Sequence, residues 1–156
     1  MKDEEITNLV RRIHQELEEL QRVLGRIEEG WERSRRSNDD YYLDSIALNL
    51  HGFYSGCERI FTQIAESIDG ELPRGEDWHR LLLEQMRKEI VHVRPAIISA
   101  KIGELLDELR RFRHVVRNVY THHLDPKRLE KLVKETSQEF PQLRAEISAF
   151  AAFLEQ

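Results

Sequence analysis

Apolar residues recur over the first thirty positions in alternating steps of four and three: Ile6, Val10, Ile13, Leu17, Leu20, Leu24, Ile27 and Trp31. That spacing puts one apolar stripe on one face of a long α-helix. Glu16, Glu18, Glu19, Arg22, Arg26, Glu28 and Glu29 fall between the stripe positions, on the solvated face. The wholly polar run SRRSNDD (34–40), rich in cap and turn residues, predicts the end of this helix.

The same spacing returns in Ile46, Leu50, Phe53, Cys57, Ile60, Ile64 and Ile68, widened by Leu48 and Phe61, and predicts a second helix. Gly52 and Gly56, four residues apart, would let another helix approach closely. Asp69, Gly70, Pro73 and Gly75 break the chain, and Asp77 is the expected N-cap of a short helix carrying Trp78, Leu82, Met86 and Ile90. VHVRPAIIS (91–99) reads as a connection. A fourth helix is expected from Ala100, with Leu105, Leu109, Phe112, Val116 and Val119 as its stripe, stopping around Thr121 to Leu124. Asp125 as N-cap and Pro126 as first helical residue start a fifth, with Leu129, Leu132 and Val133 inward. Pro141 is expected to kink or restart it before Ile147, Phe150, Ala151 and Leu154. With no repeat and no strand pattern, the prediction is an all-α, up-and-down bundle of four to five helices, one domain spanning 1–156.

Composition agrees. In 156 residues, 40% hydrophobic and 34% charged, there is material for one packed core. The longest uncharged run, Ser45 to Cys57, is too short to span a bilayer, so no membrane association is expected. The acidic, amphipathic start MKDEEITNLV does not read as a signal peptide, and a single cysteine, Cys57, fits a reducing compartment, so a cytoplasmic location is expected. A net charge of −5 disfavours broad coating of nucleic acid but leaves room for a local basic site.

Such a site is visible. Between Arg110 and Lys134 eight Lys or Arg face only Asp125 and Glu130, so this segment carries +6 while the rest of the chain carries −11. At helical spacing Arg110, Arg113, His114, Arg117 and Thr121 share one polar stripe. A solvated face with cations near a helix C-terminus explains such a stripe equally well. The adjoining loop adds chemistry: Arg117 and His122 form R-x4-H, and His123 gives R-x5-H. Cleavage of an RNA phosphodiester needs such a pair. An imidazole titrating near neutrality can take the 2′-hydroxyl proton or protonate the 5′-oxygen, and a forked, permanent cation stabilises the phosphorane. No metal is required by this chemistry.

The segments LNLHGFYSGCERIF (48–61), LPRGEDWHRLLLEQM (72–86) and RRFRHVVRNVYTHHLDPKRL (110–129) resemble the HEPN superfamily, and within it the HepT-like, DUF86-type proteins. The resemblance implies a helical ribonuclease toxin of a type VII toxin–antitoxin pair, whose partner antitoxin is a minimal nucleotidyltransferase. It also implies R-x4-6-H motifs facing each other in a homodimer, as a metal-independent site acting on RNA. Carried over by position, Arg117 stabilises the phosphate, His122 is the acid/base residue with His123 as alternative, and Asn118 is a supporting polar group. Arg110, Arg113 and His114 would gather substrate phosphates. The toxin motif continues as R-x4-H-x-Y, its Tyr being adenylylated by the partner. Here Leu124 follows His122 at that spacing, and Tyr120 lies on the other side of the histidine.

Other readings compete. The alternative expectations are a non-catalytic HEPN-type binding partner of a nucleotidyltransferase, an RNA-binding helical module, or a scaffolding dimer. No cofactor motif is present: there is no G-x-G-x-x-G, Walker or Cys–His signature. His51, His79 and Cys57 lack the paired spacing of a zinc site, and Asp125 beside His122 and His123 is better employed as a cap, so no metal is expected. Glu58 and Arg59 are expected to face outward or pair with another helix, with Glu58 also a candidate to reach the basic site. The long first-helix stripe, ending at Trp31, is expected to exceed what a small bundle covers, which favours a homodimer.

Overall fold

The computed structural model describes residues 3–156; Met1 and Lys2, the start of the segment read above for signal character, lie outside the described residues. Five α-helices form: α1 (Asp3–Ser37), α2 (Tyr41–Ile64), α3 (Trp78–Met86), α4 (Ala100–Asn118) and α5 (Pro126–Leu154). Among the described residues the sole β-type pairing is an isolated bridge between Ile90 and Arg94, so the fold is all-α.

The two longest apolar stripes meet each other. Arg59 of α2 pairs with Glu16 of α1 at 2.8 Å, Arg12 reaches Gln63 at 3.3 Å, and Gly30 lies against Ile46, so α1 and α2 run antiparallel. A Cβ on Gly56 would stand 2.7 Å from the Leu20 side chain, whereas one on Gly52 would meet nothing within 4 Å. The close helix approach expected of both glycines therefore belongs to Gly56 alone, because only it faces α1. α5 covers the other side of α1 through Arg144–Glu18 and Ser137–Glu28, and its Phe140 ring meets Phe53 edge-on at 5.9 Å. α4 packs on α2 and runs antiparallel to α5, with Lys101 to Glu139 at 3.2 Å at one end and Lys131 to Glu108 at 4.0 Å further along.

The α1 stripe leaves no surplus. Leu9, Val10, Ile13, Leu17, Leu20, Leu24 and Ile27 are buried within the single chain, and Ile6 and Trp31 are partly buried against the same core. The expectation that a partner must cover the excess is thus corrected: α2 and α5 of the same chain cover it.

Helix ends depart from the pattern in four places. α2 passes into a π-helical turn, Ala65–Asp69, closed by Gly70 at φ 71°, a left-handed conformation that favours glycine. α3 stops at Met86, so Ile90 lies outside it. The buried Arg94 guanidinium takes the carbonyls of Gln85 (3.1 Å) and Lys88 (2.8 Å), and Ile97 N–H donates to Met86 O at 2.9 Å, replacing a further turn. Asp77 precedes α3 but makes no capping bond, because its carboxylate is held by Arg80, Nε to Oδ2 at 2.8 Å. α5 runs unbroken through Pro141, correcting the expected restart; that residue is on the exposed side, where water can serve the carbonyl it leaves unpaired.

Of the predicted starts, that at Asp125 and Pro126 acts as read, and α4 begins at Ala100 behind a cap that the pattern did not single out. Ser99 Oγ accepts from Ile102 N–H at 3.3 Å to cap α4, and Asp125 Oδ1 accepts from Lys127 N–H at 3.0 Å, with Pro126 first in α5.

Candidate functional site

The C-terminal half of α4 and the start of α3 enclose a cleft of about 470 Å³. From α4 come Arg110, Arg111, Arg113, His114, Arg117 and Asn118; from α3 and the residue pair before it come Glu76, Asp77, His79 and Arg80. The predicted polar stripe is therefore one wall of a cavity, opposite a second wall that periodicity did not reveal.

Local structure decides which of these cations are free. Arg80 is engaged on both sides, by Asp77 and by Glu84 at 2.5 Å. Arg110 donates to Asp107 at 2.8 Å, and Arg111 approaches the same carboxylate at 3.5 Å. Arg113 and Arg117 have no carboxylate within ion-pair distance among the described residues. Arg113 is partly buried, and its Nε is fully buried with no acceptor among the described residues. An enclosed guanidinium N–H without a partner is costly, and an anion entering the cleft would satisfy it.

The far wall holds a short polar chain. His79 Nδ1 lies 2.5 Å from Glu58 Oε2, and Tyr54 Oη donates to the same carboxylate oxygen at 2.9 Å. Burial pushes the Tyr54 phenol far above its ordinary value, so it remains a donor. The Trp78 ring covers the His79 ring with centroids 3.7 Å apart. His51, one turn before Tyr54 on α2, is held below its ordinary value, first by burial and then by the Arg113 and Arg117 charges. The two expectations for the pair on α2 thus resolve separately: Arg59 pairs with α1, while Glu58 reaches the basic cleft through His79.

The exit from α4 is different. The helix ends at Asn118, three residues before the expected stop, because Asn118 turns its amide onto the His114 carbonyl at 2.7 Å and Val119 is extended. Thr121 thereby leaves the helical stripe and opens a 3-10 turn, Thr121–His123; its side chain lies outside the described residues. In this turn Tyr120 stacks on His122 with centroids 5.7 Å apart, and His122 meets His123 at 4.2 Å. All three rings are exposed, while Leu124 is buried beneath them. The structure thus brings Arg110, Arg113, His114, Arg117 and Asn118 into one cleft and leaves His122 and His123 on the turn outside its walls.

Two signals escaped the pattern of the sequence. His79 and Glu58 are separated by a helix end and a loop, so no spacing rule joins them. The second is a register. Arg113, Asn118 and Tyr120 match R-x4-H-x-Y with the tyrosine in place and asparagine standing for histidine. An amide does not act as a general acid or base near neutral pH, so in that register the cleft has free guanidiniums and no histidine.

Among the described residues no three His, Cys, Asp or Glu side chains gather to hold a metal ion. Cys57 is buried within the core and burial pushes its thiol up, far from the reactive range. Among the described residues no helix is long and apolar enough to cross a membrane.

No curated protein and no solved structure matches the chain. A family model described as HepT-like protein matches residues 45–154, from the start of α2 to the end of α5, and includes both walls of the cleft. With well over half of its length matched, the chain belongs to the HepT-like family of the HEPN superfamily.

Proposed function

We propose that this protein acts on RNA as a HepT-type, metal-independent endoribonuclease, the toxin half of a toxin–antitoxin pair with a minimal nucleotidyltransferase. The observation that carries the reading is the pair Arg113 and Arg117, free of carboxylates in a cleft whose other cations are already engaged. A phosphodiester seated there receives two guanidinium forks. Arg117, on the last turn of α4, stabilises the extra charge of the phosphorane, and Arg113 meets a non-bridging oxygen with its enclosed Nε. His114 and Asn118 extend the contact along the backbone, while Arg110, held by Asp107, is not among the free phosphate contacts. His122, or His123, supplies proton transfer from the exposed exit turn, with the two copies of a homodimer bringing their motifs together.

A second reading has its own support. Asn118 occupies the histidine position of the Arg113 register, and Tyr120 follows at the motif spacing. A cleft of that kind binds RNA or a nucleotidyltransferase partner without cutting.

RNA cleavage by purified protein in EDTA separates the two. The expected result is 2′,3′-cyclic phosphate ends, lost in Arg117→Ala and in one of His122→Ala or His123→Ala. Intact RNA in all samples, with dimers still folded and RNA still bound, discards the nuclease and selects the binding role. A monomeric mass at micromolar concentration discards the paired site.

A further inference from the structure

We propose that His79, held by Glu58, is the general base of this cleft, a role no part of the R-x4-H motif assigns. The inference rests on the ribonuclease reading and deepens it by supplying a second proton-handling group. Transesterification of RNA needs two: one removes the 2′-hydroxyl proton as the 2′-oxygen bonds to phosphorus, and the other protonates the 5′-oxygen as its bond to phosphorus breaks. A motif histidine on the exit turn supplies one of these. The cleft supplies the other.

Four observations place His79 there. It lines the cleft opposite Arg113 and Arg117. Its Nδ1 is 2.5 Å from Glu58 Oε2, and both side chains are largely enclosed. A carboxylate at that distance accepts the Nδ1 proton, which fixes the tautomer and leaves the Nε2 lone pair as the basic site. The Trp78 ring lies 3.7 Å away, and Tyr54 donates to Glu58 at 2.9 Å, so ring and carboxylate are each held from a second side. A His oriented by a buried acid is the arrangement that hydrolases use to fix the tautomer and orientation of the imidazole and to stabilise the imidazolium that forms in the reaction.

The step balances without an added reactant. The 2′-hydroxyl proton goes to His79 Nε2 as the O–P bond forms. The electron pair of the cleaved P–O bond stays on the 5′-oxygen, which takes a proton from the imidazolium of the motif histidine. The products are a 2′,3′-cyclic phosphate and a free 5′-hydroxyl. Glu58 touches no substrate; it is a positioning residue acting through His79.

The test compares two oligoribonucleotides, one with the natural 5′-oxygen at the cleaved bond and one with bridging sulfur there. A thiolate leaves without being protonated, so the sulfur substrate needs a base and no acid. His79→Gln and His79→Ala are expected to lower cleavage of both substrates by roughly 10²–10⁴-fold, while RNA binding stays within a few-fold of wild type. Glu58→Gln is expected to show a smaller loss with the same leaving-group pattern. Whichever of His122→Ala and His123→Ala loses cleavage of the natural substrate is expected to regain activity on the sulfur substrate. Four results overturn the inference in distinguishable ways. His79 variants cleaving like wild type remove the role and leave the ribonuclease reading standing. A His79 defect cured by sulfur makes His79 the acid instead. A loss of binding equal to the loss of cleavage makes it a contact residue. Intact RNA with wild type fells both readings together.

Discussion

His51 senses the charge of the cleft from the α2 side. Burial holds its imidazole below the ordinary value near 6.5, the Arg113 and Arg117 guanidiniums push in the same direction, and Glu58 works against them. The native state therefore binds this proton less readily than the unfolded chain. At neutral pH His51 is neutral in both states and contributes nothing to the balance. As pH falls through 6.5 the unfolded chain takes up the proton first, so stability is lost on the acid side. Urea titrations at pH 7.5 and 5.5 are expected to show a smaller loss of stability for His51→Gln than for the parent. Equal losses in the two proteins would rule out this coupling. Bound phosphate neutralises the two arginines, so an RNA ligand is expected to restore part of the acid-side loss. At this scale the sequence shows which residues carry charge, and only the fold shows that His51, Arg113 and Arg117 share a field.

Among the elements, α3 depends on a tie that the run VHVRPAIIS does not advertise. Arg94 is buried and bonds Asp69 through both carboxylate oxygens, at 2.6 and 2.7 Å, with exposures of 0% and 2% for the two side chains. The same guanidinium takes the carbonyls of Gln85, Lys88 and Pro95, and Gln85 returns a bond to Asp69 at 2.7 Å. The end of α2, the end of α3 and the loop before α4 are thereby fastened together, and with them the position of His79. Asp69→Ala is expected to cost about 3–5 kcal/mol, because it leaves a buried cation without its partner. Chemical denaturation measures it, and a loss under about 1 kcal/mol would contradict a structural role for the pair. The amphipathic helices α1, α2, α4 and α5 are legible in sequence because each carries a sustained apolar stripe. The end of α3 is not, since an irregular loop with a buried charge has no period.

For the whole molecule, charge separation predicts how binding responds to salt. The chain is net negative, so the proposed RNA binding depends on local basic residues, Arg113 and Arg117 of the cleft first, rather than on overall charge. The logarithm of affinity for single-stranded RNA is expected to fall linearly with the logarithm of salt concentration, by about 0.7 per neutralised phosphate. Arg113→Ala and Arg117→Ala are each expected to flatten that slope by about one such increment, whereas Arg80→Ala, already paired, leaves it near wild type. Fluorescence anisotropy over a salt series reads this directly, and equal slopes for all three variants would place RNA elsewhere.

Legible in the sequence alone were the all-α class, the α5 start at Asp125 and Pro126, the family, and the concentration of basic residues late in the chain. Each of these is written locally, in spacing, cap chemistry or contiguous segments. Tertiary structure alone decided which arginines are free, since pairing with Asp77, Glu84 and Asp107 consumes three of the five in the cleft. It also decided that the first-helix stripe is satisfied within one chain, and that Glu58 of α2 meets His79 of α3. The reason is physical: charge, burial and proton transfer depend on distances across the bundle, and residues brought within 3 Å by folding carry no fixed separation along the chain.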